Sequence, residues 1–346
     1  MNKGVGRISL FSKELTVSAA ISDPLIHERH STRIVVYAAL AGNIAVAITK
    51  LAAAAVTGSA AMFSEAVHSV VDCGNEGLIL YGYYRATRRP DLVHPLGFGR
   101  ELYFWSFIVA LLLFALGAGV SIYQGVRHVI TPQPLEYTSI SYAVLALSFV
   151  FEGASWIIGW RTLARARGDI GFWKAFRQSK NPPAFMVVFE DSAALIGIAI
   201  AAIGIAAAEK LEMPVLDGAA SILIGVVLAI TALLLAIESK SLLIGERATP
   251  ALVEAICLIA QEHSGVIHAN SALTAQLAPD QALVALSIEF DPGLLTEQIE
   301  ECVATIEQKV RAAYPEVTAL FVKPQTLGQF ESARKKRFGI CELPPR

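Results

Sequence analysis

Thr57-Gly58-Ser59-Ala60-Ala61-Met62-Phe63-Ser64-Glu65-Ala66-Val67-His68-Ser69-Val70-Val71-Asp72 decides how the chain is read. A Gly-Ser turn leads into an apolar run that nevertheless carries ionisable groups. Glu65, His68, Asp72 and, beyond them, Glu76 recur at intervals of three and four, which places them on one stripe of an α-helix. One turn separates His68 from Asp72, so an imidazole nitrogen and a carboxylate oxygen can converge on a single ion. A charge in mid-membrane costs on the order of 2.5–3.5 kcal/mol, so such groups call for a function.

The membrane setting follows from composition. Hydrophobic residues make up 54% of the 346 and charged residues 17%, too little charge for an ordinary soluble domain. A hydrocarbon core of roughly 30 Å takes about 20 apolar residues as helix. Six segments qualify: 34–56, 61–84, 102–124, 137–160, 184–207 and 216–238. Gly58 and Ser59 are the whole connection between the first two, which are therefore antiparallel neighbours. A net charge of −2 leaves no basic excess for phosphates and excludes nucleic acid as a partner. Cys73, Cys257, Cys302 and Cys341 show neither a disulfide framework nor a Cys-x-x-Cys zinc spacing.

Lys and Arg set the orientation. They crowd the N-terminal arm (Lys3, Arg7, Lys13, Arg29, Arg33), the link after the second segment (Arg85, Arg88, Arg89, Arg100) and the link after the fourth (Arg161, Arg165, Arg167, Lys174, Arg177, Lys180). The opposite links hold only Arg127 and Lys210, so both termini are expected inside. No cleavable signal or transit peptide is visible, which favours a bacterial plasma membrane. After Glu246 the pattern changes: helix 251–263, strands 265–276 and 281–290, helix 294–313 and strand 316–323. Val284, Leu286, Ile288 and Phe290 show the period of two of a half-buried strand. The expected fold is thus an α-helical membrane protein of six transmembrane helices with a cytoplasmic, ferredoxin-like α+β domain of order α-β-β-α-β. Its divisions are a polar arm 1–30, a transport domain 31–245, the α+β domain 246–328 and a mobile basic tail 329–346.

Glu190 and Asp191 bring acid into the fifth segment, inside Val187-Val188-Phe189-Glu190-Asp191-Ser192-Ala193-Ala194. Zinc takes nitrogen and carboxylate oxygen at about 2.0–2.2 Å, usually four-coordinate, so two ligands from each of two packed helices suffice. Glu76, Glu152 and Asp217 are equally well explained by hydrogen bonds between helices. Lys50 reads as a residue whose long stem lets its ammonium snorkel to the interface.

The stretch 57–72, together with His94-Pro95-Leu96-Gly97-Phe98-Gly99-Arg100-Glu101, resembles the signatures of the cation diffusion facilitator family. Six spans with both termini inside and a C-terminal α-β-β-α-β domain are also that family's plan. The resemblance implies a homodimeric carrier that exchanges Zn²⁺ or a similar ion for protons, with no bound cofactor and no enzymatic activity. His68 and Asp72 fall on the family's second-helix ligand positions. In the fifth helix the usual His- or Asp-x-x-x-Asp is replaced: Glu190 takes the first position, Ala194 the second, and Asp191 stands beside Glu190. A Glu-Asp pair here looks like a branch that includes an animal mitochondrial zinc transporter. The resemblance also maps a second, weak metal site onto Asp91 and His94, where Phe98 replaces its second His, and a charge pair onto Arg100 and Glu246. The binuclear zinc ligands of the family's C-terminal domain do not reappear, and His263 and His268 read as surface residues. Two other readings stay open: a carrier of Mn²⁺, Fe²⁺ or Co²⁺, and a non-transporting membrane scaffold.

Overall fold

Ser59 starts the second helix. Its hydroxyl accepts the backbone N–H of Met62 at 3.0 Å, and Gly58 before it takes a φ of +67°, a conformation open at no steric cost only to a residue without Cβ. The structure, a computed structural model, describes residues 42–168 and 171–339. The predicted arm 1–30 and the end of the tail, 340–346, lie outside them. At the Gly58 turn α1 (Gly42–Thr57) meets α2 (Ala60–Ala86). There follow α3 (Glu101–Ile130), α4 (Thr138–Arg167), α5 (Phe172–Gln178), α6 (Pro182–Lys210) and α7 (Val215–Leu243).

Among the described residues four helices, α3, α4, α6 and α7, are long and apolar enough to cross a membrane. The chain is a multi-pass integral membrane protein. With 27 residues, about 40 Å at 1.5 Å each, α2 has the length too, but Glu65, Asp72 and Glu76 lower its apolarity. The expected spans correspond to these five and to α1, which is described only from Gly42. Each helix described in full runs past its apolar segment, because the helix continues into the polar links. The short α5 was not expected. Its Phe172 and Phe176 pack on Phe185 and Phe189 of α6, and Trp160 of α4 stacks on Phe172, with centroids 5.5 Å apart.

Small residues bring the helices close. A Cβ on Gly125 of α3 would stand 2.7 Å from the Gly218 carbonyl oxygen and 2.7 Å from the Ile222 backbone nitrogen of α7. Gly225 meets Ile122 as tightly, at 2.6 Å. Those obstacles are largely backbone and cannot rotate away. Gly125→Ala should therefore destabilise the protein by about 2 kcal/mol, the usual cost of overfilling a packed contact. Thermal melting in detergent checks this, and a parental midpoint would show that the two helices separate without strain. In the middle of α3, residues Leu113–Ala118 form a π-helical turn that packs on α7.

At the N-terminal end of α7 Asp217 caps α2. Its carboxylate accepts Ser59 Oγ at 2.6 Å and the Ala60 N–H at 2.5 Å, and His128 Nε2 lies 3.8 Å away. The Ala60 N–H and, at 3.4 Å, the Ala61 N–H, two orphaned donors of the first turn, are thereby satisfied from another span, one of the roles the sequence leaves open for Asp217.

The C-terminal domain begins with α8 (Pro250–Gln261), then β1 (Val266–Ala278), β2 (Gln281–Phe290), α9 (Thr296–Ala313) and β3 (Val317–Pro324). The sheet runs β1-β2-β3, antiparallel then parallel, with Ala272 opposite Leu286 and Leu286 opposite Val322. Val284, Leu286 and Ile288 share one core with Leu252 and Ile256 of α8 and with Ile306 and Val310 of α9, so both helices cover one face. The expected order holds to within two residues at nearly every boundary. The tail does not follow expectation. Leu327–Phe338 is a helix, α10, with the Thr326 side chain accepting from Gln329 N–H at 3.4 Å and Gly339 closing it at a φ of +69°. His263 is also placed differently: it is half-buried, with Nδ1 3.2 Å from the buried Cys302 Sγ, whereas His268 is exposed as expected.

The two parts meet at the ends rich in Lys and Arg. A Cβ on Gly99 would stand 2.7 Å from the Ala278 side chain of the β1–β2 hairpin. Glu246 was expected to pair with Arg100. It pairs with Lys180, 3.1 Å away, and accepts from Ser241 Oγ at 3.1 Å. The Arg100 guanidinium sits beside Gly245, which adopts a φ of +104°. Lys180 reaches Glu246 because its segment is anchored by the Tyr103 hydroxyl, which donates to the Lys180 carbonyl at 3.0 Å. Lys180→Ala should therefore expose the linker 245–249 to protease faster than Arg100→Ala does. Equal cleavage rates would remove Lys180 from this role.

Candidate metal-binding cavity

The helical stripe survives folding as an inward-facing row. Glu65 and His68 are fully buried, while Asp72 and Glu76 are half-buried toward a cavity of about 80 Å³. Four helices line it: α1 with Asn43 and Val46, α2 with Ser69, Asp72 and Glu76, α4 with Phe151, Glu152 and Ser155, and α6 with Val187, Glu190 and Asp191. Five carboxylates thus face one space, and among the described residues no Lys or Arg lines it.

Four of the five acids, Asp72 excepted, are held by a neighbour from another helix. Glu190 Oε1 accepts from Asn75 Nδ2 at 2.9 Å, which ties α6 to α2. Asp191 Oδ2 accepts from Ser155 Oγ at 2.8 Å, which ties α6 to α4. The Glu76 carboxylate accepts from the Asn43 amide of α1. Adjacent on one helix, Glu190 and Asp191 diverge by about 100°, so they are held by different neighbours and both still line the cavity.

His68 lies behind this lining. Its Nδ1 is 3.4 Å from Asp72 Oδ1, in a geometry that makes no hydrogen bond. Among the described residues neither imidazole nitrogen has a hydrogen-bond partner, and Asp72 Oδ1 has none. Buried polar groups are normally paired, so each exception needs a reason. Three of the four predicted ligands, Asp72, Glu190 and Asp191, therefore line one cavity with His68 behind Asp72, and they do not form a closed coordination sphere. Among the described residues no three His, Cys, Asp or Glu side chains converge closely enough to hold one ion.

Lys50 departs from expectation most. It does not snorkel: it is fully buried, with Nζ 3.2 Å from Glu65 and 3.0 Å from Glu152. Glu65 is in turn pressed against Gly197 of α6, where any Cβ would collide with its Oε1. Sequence reasoning missed Lys50, Asn75 and Ser155 as parts of the site. The available signal was that a basic residue and an amide recur in segments that otherwise tolerate neither.

Asp91 and His94 stand in the loop before α3. Asp91 Oδ1 accepts the His94 and Val93 N–H groups at 2.6 and 2.9 Å and lies 3.2 Å from His94 Nδ1. The His94 N–H above all holds the Asp91 carboxyl below its ordinary pKa. Phe98 covers the His94 ring at 4.5 Å between centroids, and the Arg88 guanidinium covers Phe98 at 4.9 Å. The carboxylate is occupied in shaping a turn beside a cation.

Residues 36–244 match the family described as the cation efflux transmembrane domain. Over 248 residues the chain is 32% identical to the human protein named proton-coupled zinc antiporter SLC30A9, mitochondrial, covering 71% of this chain and 44% of that one. It is 32% identical over 226 residues to metal tolerance protein C4 of Arabidopsis thaliana, covering 64% and 48%. A Synechocystis protein named uncharacterized transporter sll1263 is 28% identical over 113 residues, covering 32% and 36%. The chain spans less than half the length of each of these relatives. The matched family region takes in every helix from α1 to α7, with the cavity and its acids among them, and the chain belongs to the cation efflux, or cation diffusion facilitator, family.

Proposed function

We propose that this protein carries a divalent metal cation, Zn²⁺ in the first place, across a membrane in exchange for protons. The observation that carries the reading is the buried His68 imidazole, both of whose nitrogens are without a hydrogen-bond partner among the described residues, next to an Asp72 oxygen in the same condition, at the edge of a cavity lined by carboxylates. A nitrogen donor beside carboxylate oxygens suits zinc. His68, Asp72 and Glu190 are the proposed ligands, with Asp191 as the fourth. The names of the human and Arabidopsis relatives, one a zinc antiporter and one a metal tolerance protein, agree with it.

The coupling lies in competition. Imidazole binds metal only when neutral and carboxylates only when ionised, so protons and metal exclude one another at the same atoms. Because the ligands stand apart around the cavity, closing them on the ion requires α2 and α6 to shift against each other. That shift is the alternating-access step. The reading includes a homodimer in a bacterial plasma membrane, with both termini and the α+β domain inside.

Purified protein in liposomes with a proton gradient tests this. Zinc should accumulate against its gradient with proton flow in the opposite direction. Liposomes that pass neither zinc nor protons would reject the reading and leave the scaffold alternative. The five carboxylates facing the cavity favour a second reading, a carrier of Mn²⁺ or Fe²⁺, since oxygen-rich sites suit harder ions. Competition of each ion with zinc uptake separates the two.

A further inference from the structure

Lys50 takes no part in the mechanism above, yet it touches the cavity wall. Its ammonium bridges Glu65 of α2 and Glu152 of α4, 3.2 and 3.0 Å away. Glu152 faces two ways: one oxygen meets Lys50, and the side chain also lines the cavity beside Asp72, Glu190 and Asp191. Glu65 differs: it is buried against Gly197 and is not among the residues that line the cavity.

We propose that Lys50 is a tethered cation that holds Glu152 at the cavity rim and releases it to an incoming divalent ion, and so sets the affinity of the site. A divalent ion in the cavity attracts Glu152 from one side while Lys50 attracts it from the other. The ammonium also repels the ion across a short distance of low dielectric. Both effects weaken binding, which a carrier needs in order to let its cargo go. The inference rests on the reading of the cavity as the ion's binding place.

The test is zinc binding by calorimetry on the purified, detergent-solubilised full chain. The double variant Lys50→Met/Glu65→Gln removes one charge of each sign and leaves Glu152 without its ammonium. It should bind zinc at least tenfold more tightly than the parent, and adding Glu152→Gln should abolish the gain. Lys50→Arg, which keeps the charge, should bind like the parent. A role in helix assembly alone would not raise affinity. Parental or weaker binding by the double variant overturns the proposal. If that variant does not fold, Glu152→Gln in the parent background decides: about tenfold weaker zinc binding supports the proposal, and unchanged binding overturns it. A parent that binds no zinc rejects the reading of the cavity instead.

Discussion

His68→Ala and Asp72→Ala are each expected to lower zinc uptake into proteoliposomes by at least about a hundredfold while the protein still folds. Groups that merely support a metal ligand cost about 10–100-fold when removed, so a ligand itself should cost no less. The separation of function from folding follows from the geometry. The imidazole makes no hydrogen bond to any described residue, so its removal strands no partner. The fold loses only side-chain volume at that point. A structural histidine would behave in the opposite way, because deleting one half of a buried hydrogen bond exposes the other half to a penalty of about 1–3 kcal/mol. Uptake at the parental rate by either variant would remove the pair from the ion's path. A collapse of the melting temperature along with transport would point to a structural role.

Lys50→Ala is expected to cost about 3–5 kcal/mol of stability, since it leaves a buried carboxylate without its counter-charge. Lys50 and Glu65 are both fully buried, and Glu152 is only 15% exposed at its side chain. Snorkelling would predict almost no loss, because a snorkelling ammonium already sits in water. Glu65→Gln should cost less than Lys50→Ala, as the ammonium keeps Glu152 and an amide can still accept its hydrogen bond. Thermal unfolding in detergent, followed by tryptophan fluorescence, ranks the three proteins. A Lys50→Ala midpoint equal to the parent's would sink the buried triad.

Much of the fold could be read from the chain because helices and strands record themselves locally. The intervals of three and four from Glu65 to Glu76 describe a single helical face whatever that helix packs against, and the alternation through Val284, Leu286 and Ile288 describes a strand in the same way. The tail helix Leu327–Phe338 was open to the same kind of reading. Thr326 as cap, Gln329 three residues on and Gly339 at the end are ordinary start and stop signals. The basic run Arg334-Lys335-Lys336-Arg337 reads as part of a mobile tail instead.

What the chain alone determined is therefore the helices, the order of the C-terminal α+β domain and the row of donors on α2, all of which depend on neighbours a few residues away. What only the tertiary structure decided is the pairing of charges between elements. Lys50 finds Glu152 across 102 residues of sequence, and Glu246 meets Lys180, which local pattern did not single out. Nothing in local periodicity distinguishes a lysine that reaches for water from one that reaches for a carboxylate on another helix. The choice depends on which helices lie side by side, and on the cost of leaving any charge unpaired between them.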